Sequence, residues 1–126
     1  MTDLFHSGEP IYLQLAERIK RQICRGELHL GEKLPSIRDM GIAVNVNPNT
    51  VQRTYRELEW LKIVESKRGQ GTFVTDDEQV LQAIREQMKK EEISHFVQGM
   101  REMGYSDDEI QAGIESYLAE KGAPEQ

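Results

Sequence analysis

Cysteine is nearly absent: Cys24 is the only one in 126 residues, beside four prolines and an aromatic share of 6%. One cysteine cannot close an internal disulfide, which fits a reducing compartment. A core or half-buried position on a helix is expected for it. No apolar run approaches the ~18 residues that a membrane span needs. The opening MTDLFHSGEPIYLQL has neither the basic n-region nor the apolar h-region of a secretory signal. A cytoplasmic protein without membrane attachment is therefore expected. His6, His29 and His95 stand apart, and no Cys/His/Asp spacing suits a metal. The glycines of GQG (residues 69–71) follow a basic turn and open no helix, so they make no phosphate loop. Enzyme chemistry, metal and cofactor find no support.

What is present is a globular composition, 37% hydrophobic and 30% charged, sized for one domain or a small domain with an appendage. The net charge of −6 is unevenly spread. Residues 1–75 carry +2 and residues 76–126 carry −8. A mildly basic front and an acidic rear point to a nucleic-acid-facing half, although a solvated acidic helix pair would give the same sums.

Periodicity divides the chain further. Residues 1–9 are expected to form a flexible arm. A first helix runs from about Pro10 to Arg25, with Tyr12, Leu15, Ile19 and Ile23 at helical spacing and Gly26 ending it. LHLGEKLPS is a turn-rich connection. Ser36 caps a second helix that ends near Val44, with Asp39 three residues on. A third follows, residues 47–61, with Asn47 as N-cap accepting the Thr50 amide and Pro48 at the first helical position. At 100° per residue, Val51, Tyr55, Leu58 and Leu61 make its inner stripe, while Asn49, Arg53 and Arg56 lie nearly opposite. The period then changes. IVESKRGQGTFV, within residues 63–75, has β-prone ends around a glycine-bearing turn and reads as a hairpin. Helix, helix, turn, helix, hairpin is the order of a winged helix-turn-helix, here spanning residues 10–75.

From residue 76 the pattern is helical again. Leu81, Ile84, Met88, Phe96, Met100 and Met103 mark one stripe, interrupted by Glu92. Ser106 and Glu109 form an S-x-x-E capping box for a last helix bearing Ile110, Ile114, Tyr117 and Leu118. The predicted fold is thus mainly α with a small β-hairpin: a winged helix-turn-helix domain plus a C-terminal two-helix dimerisation segment over residues 76–121. A frayed tail is expected over 122–126. The rear stripe admits two readings, a core for its own wing domain or a homodimer seam. The seam is favoured because a small domain has little interior left to cover it.

The third helix occupies the position whose N-terminal residues meet base edges in the major groove. Asn pairs with adenine and Arg with guanine in bidentate fashion, so Asn49 and Arg53 have suitable chemistry. Thr50, Gln52 and Arg56 flank them. Arg38, near the start of the second helix with Ser36, suits a phosphate or a groove-edge contact; the alternative is an ion pair with Glu32 or Asp39. Lys67, Arg68, Gly69, Gln70 and Gly71 form a basic tip able to lie along the minor groove.

LPSIRDMGIAVNVNPNTVQRTYRELEWLKIVESKRGQGTFV resembles the DNA-binding domain of GntR-type bacterial transcription regulators, through the LPSIR opening, the VNPNTV helix start and the RGQGTFV wing. The likeness covers residues 8–75, and the two-helix rear resembles the YtrA-type subfamily, whose members dimerise through it. The resemblance implies DNA contacts from Arg38, Asn47, Asn49, Thr50, Gln52 or Arg53, and wing residues 68–71. It also implies an inverted-repeat operator, repression as a homodimer, and control of a neighbouring transporter operon. Gly41 stands where such proteins usually carry alanine, and Lys62 where glycine usually ends the recognition helix. The effector ligand is unknown; a binding place at the dimer seam or near Thr75 and Asp76 is expected if there is one. Two other readings remain at this point: a winged-helix protein-interaction module without sequence-specific DNA binding, and an RNA-binding wing.

Overall fold

The computed structural model describes residues 5–121. Among them, five helices and one hairpin follow in the order α1 (Ile11–Cys24), α2 (Ile37–Val44), α3 (Pro48–Trp60), β1 (Val64–Lys67), β2 (Gly71–Val74), α4 (Glu78–Glu102) and α5 (Asp107–Lys121). The mainly α architecture with a hairpin after the third helix is as expected. Two compact units divide the chain, the first running through Arg85 and the second starting at Glu86. The first unit therefore extends past Thr75 and takes in the first turns of α4.

In the first unit, α1 buries Leu15, Ala16, Ile19 and Ile23, and α3 buries Val51, Thr54, Tyr55 and Leu58. Met40, Leu34, Ile63, Val64 and Val74 complete one core. At ~1.5–3 kcal/mol per large apolar side chain, this burial holds the three helices and the hairpin together. The inner stripe of α3 differs from expectation at one place. Leu61 is an exposed C-cap residue, and Thr54 takes the buried position. The Thr54 hydroxyl is satisfied there, 3.0 Å from the Tyr12 carbonyl of α1 and 3.1 Å from that of Thr50.

The connection before α2 is more ordered than a run of turns. Lys33 bridges Phe73, Leu34 N–H donates to Thr72 O (2.8 Å) and Val74 N–H donates to Glu32 O (2.8 Å). Residues 32–34 thus add a short third rung to β2. The hairpin pairs antiparallel from Val64 with Val74 to Lys67 with Gly71. The expected flexible arm divides: residues 1–4 lie outside the described residues, whereas Phe5 packs on the core and Gln14 holds the rest. The Gln14 amide accepts from His6 N–H (3.0 Å) and donates to the carbonyls of His6 and Glu9 (both 2.7 Å). Leu81 and Ile84 of the rear stripe are half-buried against the same core. Arg85 donates to Cys24 O (3.0 Å) at the end of α1, and Cys24 is half-buried.

Four helices share one stop signal. Residues Gly26, Asn45, Lys62 and Gly104 each adopt positive φ just beyond α1, α2, α3 and α4. Each stop closes with the paired backbone bonds of a Schellman motif, for example Ile63 N–H to Leu58 O (3.0 Å) and Lys62 N–H to Glu59 O (2.9 Å).

Within the second unit, the Arg101 guanidinium grips Asp107 with two 3.0 Å bonds across the turn between α4 and α5. The capping box forms as expected: Ser106 N–H donates to Glu109 (2.9 Å) and Glu109 N–H to Ser106 Oγ (3.2 Å). Ile110 is buried, while Ile93, Phe96, Met103, Ile114, Tyr117 and Leu118 are exposed. Residues 122–126, expected to fray, lie outside the described residues.

Candidate nucleic-acid interface

The turn from α2 to α3 depends on one close approach. A Cβ on Gly41 would stand 2.7 Å from the Val46 carbonyl oxygen. Glycine there lets the chain fold back sharply, and Asn45 supplies the left-handed residue (φ 56°) that redirects it. The Asn47 side chain then caps α3 by accepting from Asn49 N–H (2.7 Å). The expected partner was the Thr50 amide; that N–H instead donates to the Asn47 backbone carbonyl (2.9 Å). The short asparagine arm reaches the nearer amide, so the helix start tightens by one residue.

With this start fixed, Asn49, Arg53 and Arg56 are exposed on the side of α3 opposite its core residues, Gln52 is exposed on its flank, and Thr50 is half-buried. Trp60, 81% exposed, continues the strip defined by Asn49, Arg53 and Arg56. The inner-stripe reading of α3 passed over Trp60, because an exposed tryptophan carries no periodic signal of its own. Arg53 does not extend freely: its guanidinium carbon lies 4.0 Å from the centroid of the Tyr12 ring.

Ser36 accepts from Asp39 N–H (3.0 Å), capping α2 as expected. Arg38 in that first turn is exposed, and among the described residues no ion pair engages it. Of its two candidate partners, Glu32 instead accepts from His29 N–H (2.8 Å). The Tyr55 phenol donates to Pro35 O (2.8 Å), tying α3 to the residue before that cap, and burial pushes the phenol's pKa up.

On the hairpin, Lys67, Arg68, Gly69, Gln70 and Gly71 are all exposed. Gln70 N–H closes the turn on Lys67 O (2.8 Å), with Gly69 at φ 76°. The Lys67 ammonium lies 4.7 Å from the Phe73 ring centroid. Lys33, absent from the expected site, crosses Gly71 so closely that a Cβ there would come 2.8 Å from its Cε. Its place follows from the third rung of the sheet, which short polar LGEK does not announce. Among the described residues no group of acidic, histidine or cysteine side chains is arranged for a metal, and no helix is long and apolar enough to cross a membrane.

A three-helix unit with a tight turn into an exposed, polar third helix and a basic hairpin at its flank is a winged helix-turn-helix, the architecture of DNA-binding regulators. The chain belongs to the gntR family of bacterial regulatory proteins, whose sequence model matches residues 11–74. It is a DNA-binding transcriptional regulator and not an enzyme. It is 44% identical over 117 residues to the HTH-type transcriptional regulator YhcF of Bacillus subtilis, across 93% of this chain and 97% of that one. It is also 37% identical over 90 residues to the HTH-type transcriptional repressor YtrA of the same organism, across 67% and 69% of the two chains. Among solved structures, a GntR family transcriptional regulator from Listeria monocytogenes superposes with a TM-score of 0.84 at 31% identity, over 89% of this chain and 98% of that one.

Proposed function

We propose that the chain is a repressor that binds an inverted-repeat operator as a homodimer. Asn49 and Gln52, from the first turns of α3, address base edges in the major groove. Thr50 and Asn47 set the helix start against the backbone. Arg38, Arg56, Lys67 and Arg68 take phosphates, and the residues 69–71 let the wing approach the minor groove. The observation that carries this reading is the exposed cation Arg38 at the capped start of α2, on the helix that packs against α3.

Dimerisation is supported by the second unit, where Phe96, Met103, Ile114, Tyr117 and Leu118 are left exposed on a helix pair too small to bury them. In this reading they form the seam together with Met88, Met100 and the buried Ile110. Leu81 and Ile84 serve the first unit's core. The repressor role rests on likeness to YtrA. Control of a neighbouring transporter operon is carried by the family resemblance.

Footprinting on DNA upstream of the protein's own gene tests the reading. A symmetric protected site is expected. If a dimer neutralises roughly 6–10 phosphates, the log–log salt slope of binding is about −5 to −9. Binding without salt dependence, or without preference for any duplex sequence, refutes it and favours a protein-interaction module. Light scattering at micromolar concentration should report twice the chain mass.

A further inference from the structure

The exposed face of α3 contains one cation that is already engaged. Arg53 has Glu57 one helical turn ahead, the spacing at which ion pairs form on helices, yet no ion pair joins them. The guanidinium leans the other way, across the Tyr12 ring of α1 at 4.0 Å. The backbone that carries that ring is itself tied to α3, because the Tyr12 carbonyl accepts from the Thr54 hydroxyl (3.0 Å), on the residue after Arg53. The contact is therefore a two-point joint between α1 and the recognition helix, not a chance surface stack.

We propose that Tyr12 is a positioning residue that holds Arg53 at the α1 edge of the recognition helix, where it grips a DNA phosphate and not a base. This rests on the DNA-binding reading above. With its carbon over the ring, the guanidinium spends no N–H donor on a hydrogen bond to Tyr12, and its planar fork of donors suits phosphate oxygens. The first turn of α1 beside it carries no acidic residue, and Arg56 and Lys62 border the same cleft as Tyr12 and Arg53, together with Glu57 and Glu59. Arg53 also stands one turn beyond Asn49, about 6 Å further along the axis. Base edges are met by the N-terminal residues of a recognition helix. A cation one turn on, drawn toward α1, is placed for the groove wall.

The test uses the full chain, a duplex from the footprinted site, and a shuffled duplex of equal length. Arg53→Ala should weaken binding to both by a similar factor, roughly three- to tenfold, and lower the salt slope by about 1 per protomer. Tyr12→Leu should weaken both in parallel to a lesser degree, and Tyr12→Phe, which keeps the ring, should bind as the parent does. In an Arg53→Ala background, Tyr12→Leu should change nothing further. Loss of operator preference in Arg53→Ala would make Arg53 a base reader and overturn the proposal. So would a Tyr12→Leu effect that adds in full to Arg53→Ala, since that is a purely structural role. A parent protein that fails to discriminate between the two duplexes sinks the DNA-binding reading itself, a separate outcome.

Discussion

Lys62 offers a measurement of backbone strain isolated from side-chain contacts. It adopts φ 66° just beyond α3, the conformation that glycine fills at the ends of α1 and α4. For a residue with a Cβ this costs about 1–2 kcal/mol, because the Cβ crowds the neighbouring carbonyl. Glycine removes that cost but gives back about 0.4–1 kcal/mol through a freer unfolded chain. The Lys62 side chain is exposed and takes part in no ion pair among the described residues, so little else changes. Lys62→Gly should therefore stabilise the protein by about 0.5–1 kcal/mol. For a unit of this size that raises Tm by roughly 2–8 °C. Lys62→Ala is the control, since it deletes the charge and keeps the Cβ. It should melt within about 0.5 kcal/mol of the parent. Thermal and urea unfolding at one fixed protein concentration decide the matter, with concentration held constant because association shifts Tm. If Lys62→Gly melts no higher than Lys62→Ala, positive φ at this site carries no penalty and the reasoning fails.

Other expectations follow from the same geometry. Gly41→Ala gains up to about 1 kcal/mol of helix propensity but sets a Cβ 2.7 Å from the Val46 carbonyl; displacing the turn costs about 1–3 kcal/mol, so urea unfolding should show a net loss. Tyr55→Phe removes the bond to Pro35 O and leaves that carbonyl short of a partner, a loss of about 1 kcal/mol in the same assay. Because burial raises the Tyr55 pKa, its contribution is complete below the unfolded value of about 10 and falls as pH rises beyond it. Alkaline unfolding should then begin at lower pH in the parent relative to neutral stability than in Tyr55→Phe. Arg38→Ala should weaken binding to all duplexes alike, whereas Asn49→Ala should relax preference at one base pair per half-site, worth about 1–3 kcal/mol; equal effects of both on operator and shuffled DNA would contradict the assignment.

Signals that act locally were legible before any coordinates. The Ser36 cap, the reciprocal Ser106 and Glu109 cap, and the glycine stop at Gly26 each need only a few neighbouring residues, and each forms as read. The element order of the winged domain was legible for the same reason. Contacts between distant segments were not. The bridge from Lys33 to Phe73 spans forty residues, and nothing in LGEK marks it as strand. The Tyr12 and Arg53 stack joins two helices, and periodicity on either one assigns only a face. Thr54 was displaced from the inner stripe of α3 by its polarity, although a hydroxyl with two carbonyls in reach is at home in a core. Leu81 and Ile84 shared a stripe with Met88 and Phe96, and spacing alone could not divide one helix between two neighbourhoods.

The run from Lys33 to Ser36 has a mechanical consequence. Leu34 is bonded to the wing strand, Pro35 receives the Tyr55 hydroxyl of α3, and Ser36 starts α2. Four successive residues thus serve as the common reference for all three parts that face a duplex. A strain on that run, by mutation or by a bound molecule, would displace wing, α2 and α3 together, altering the fit of the whole surface at once instead of loosening one contact.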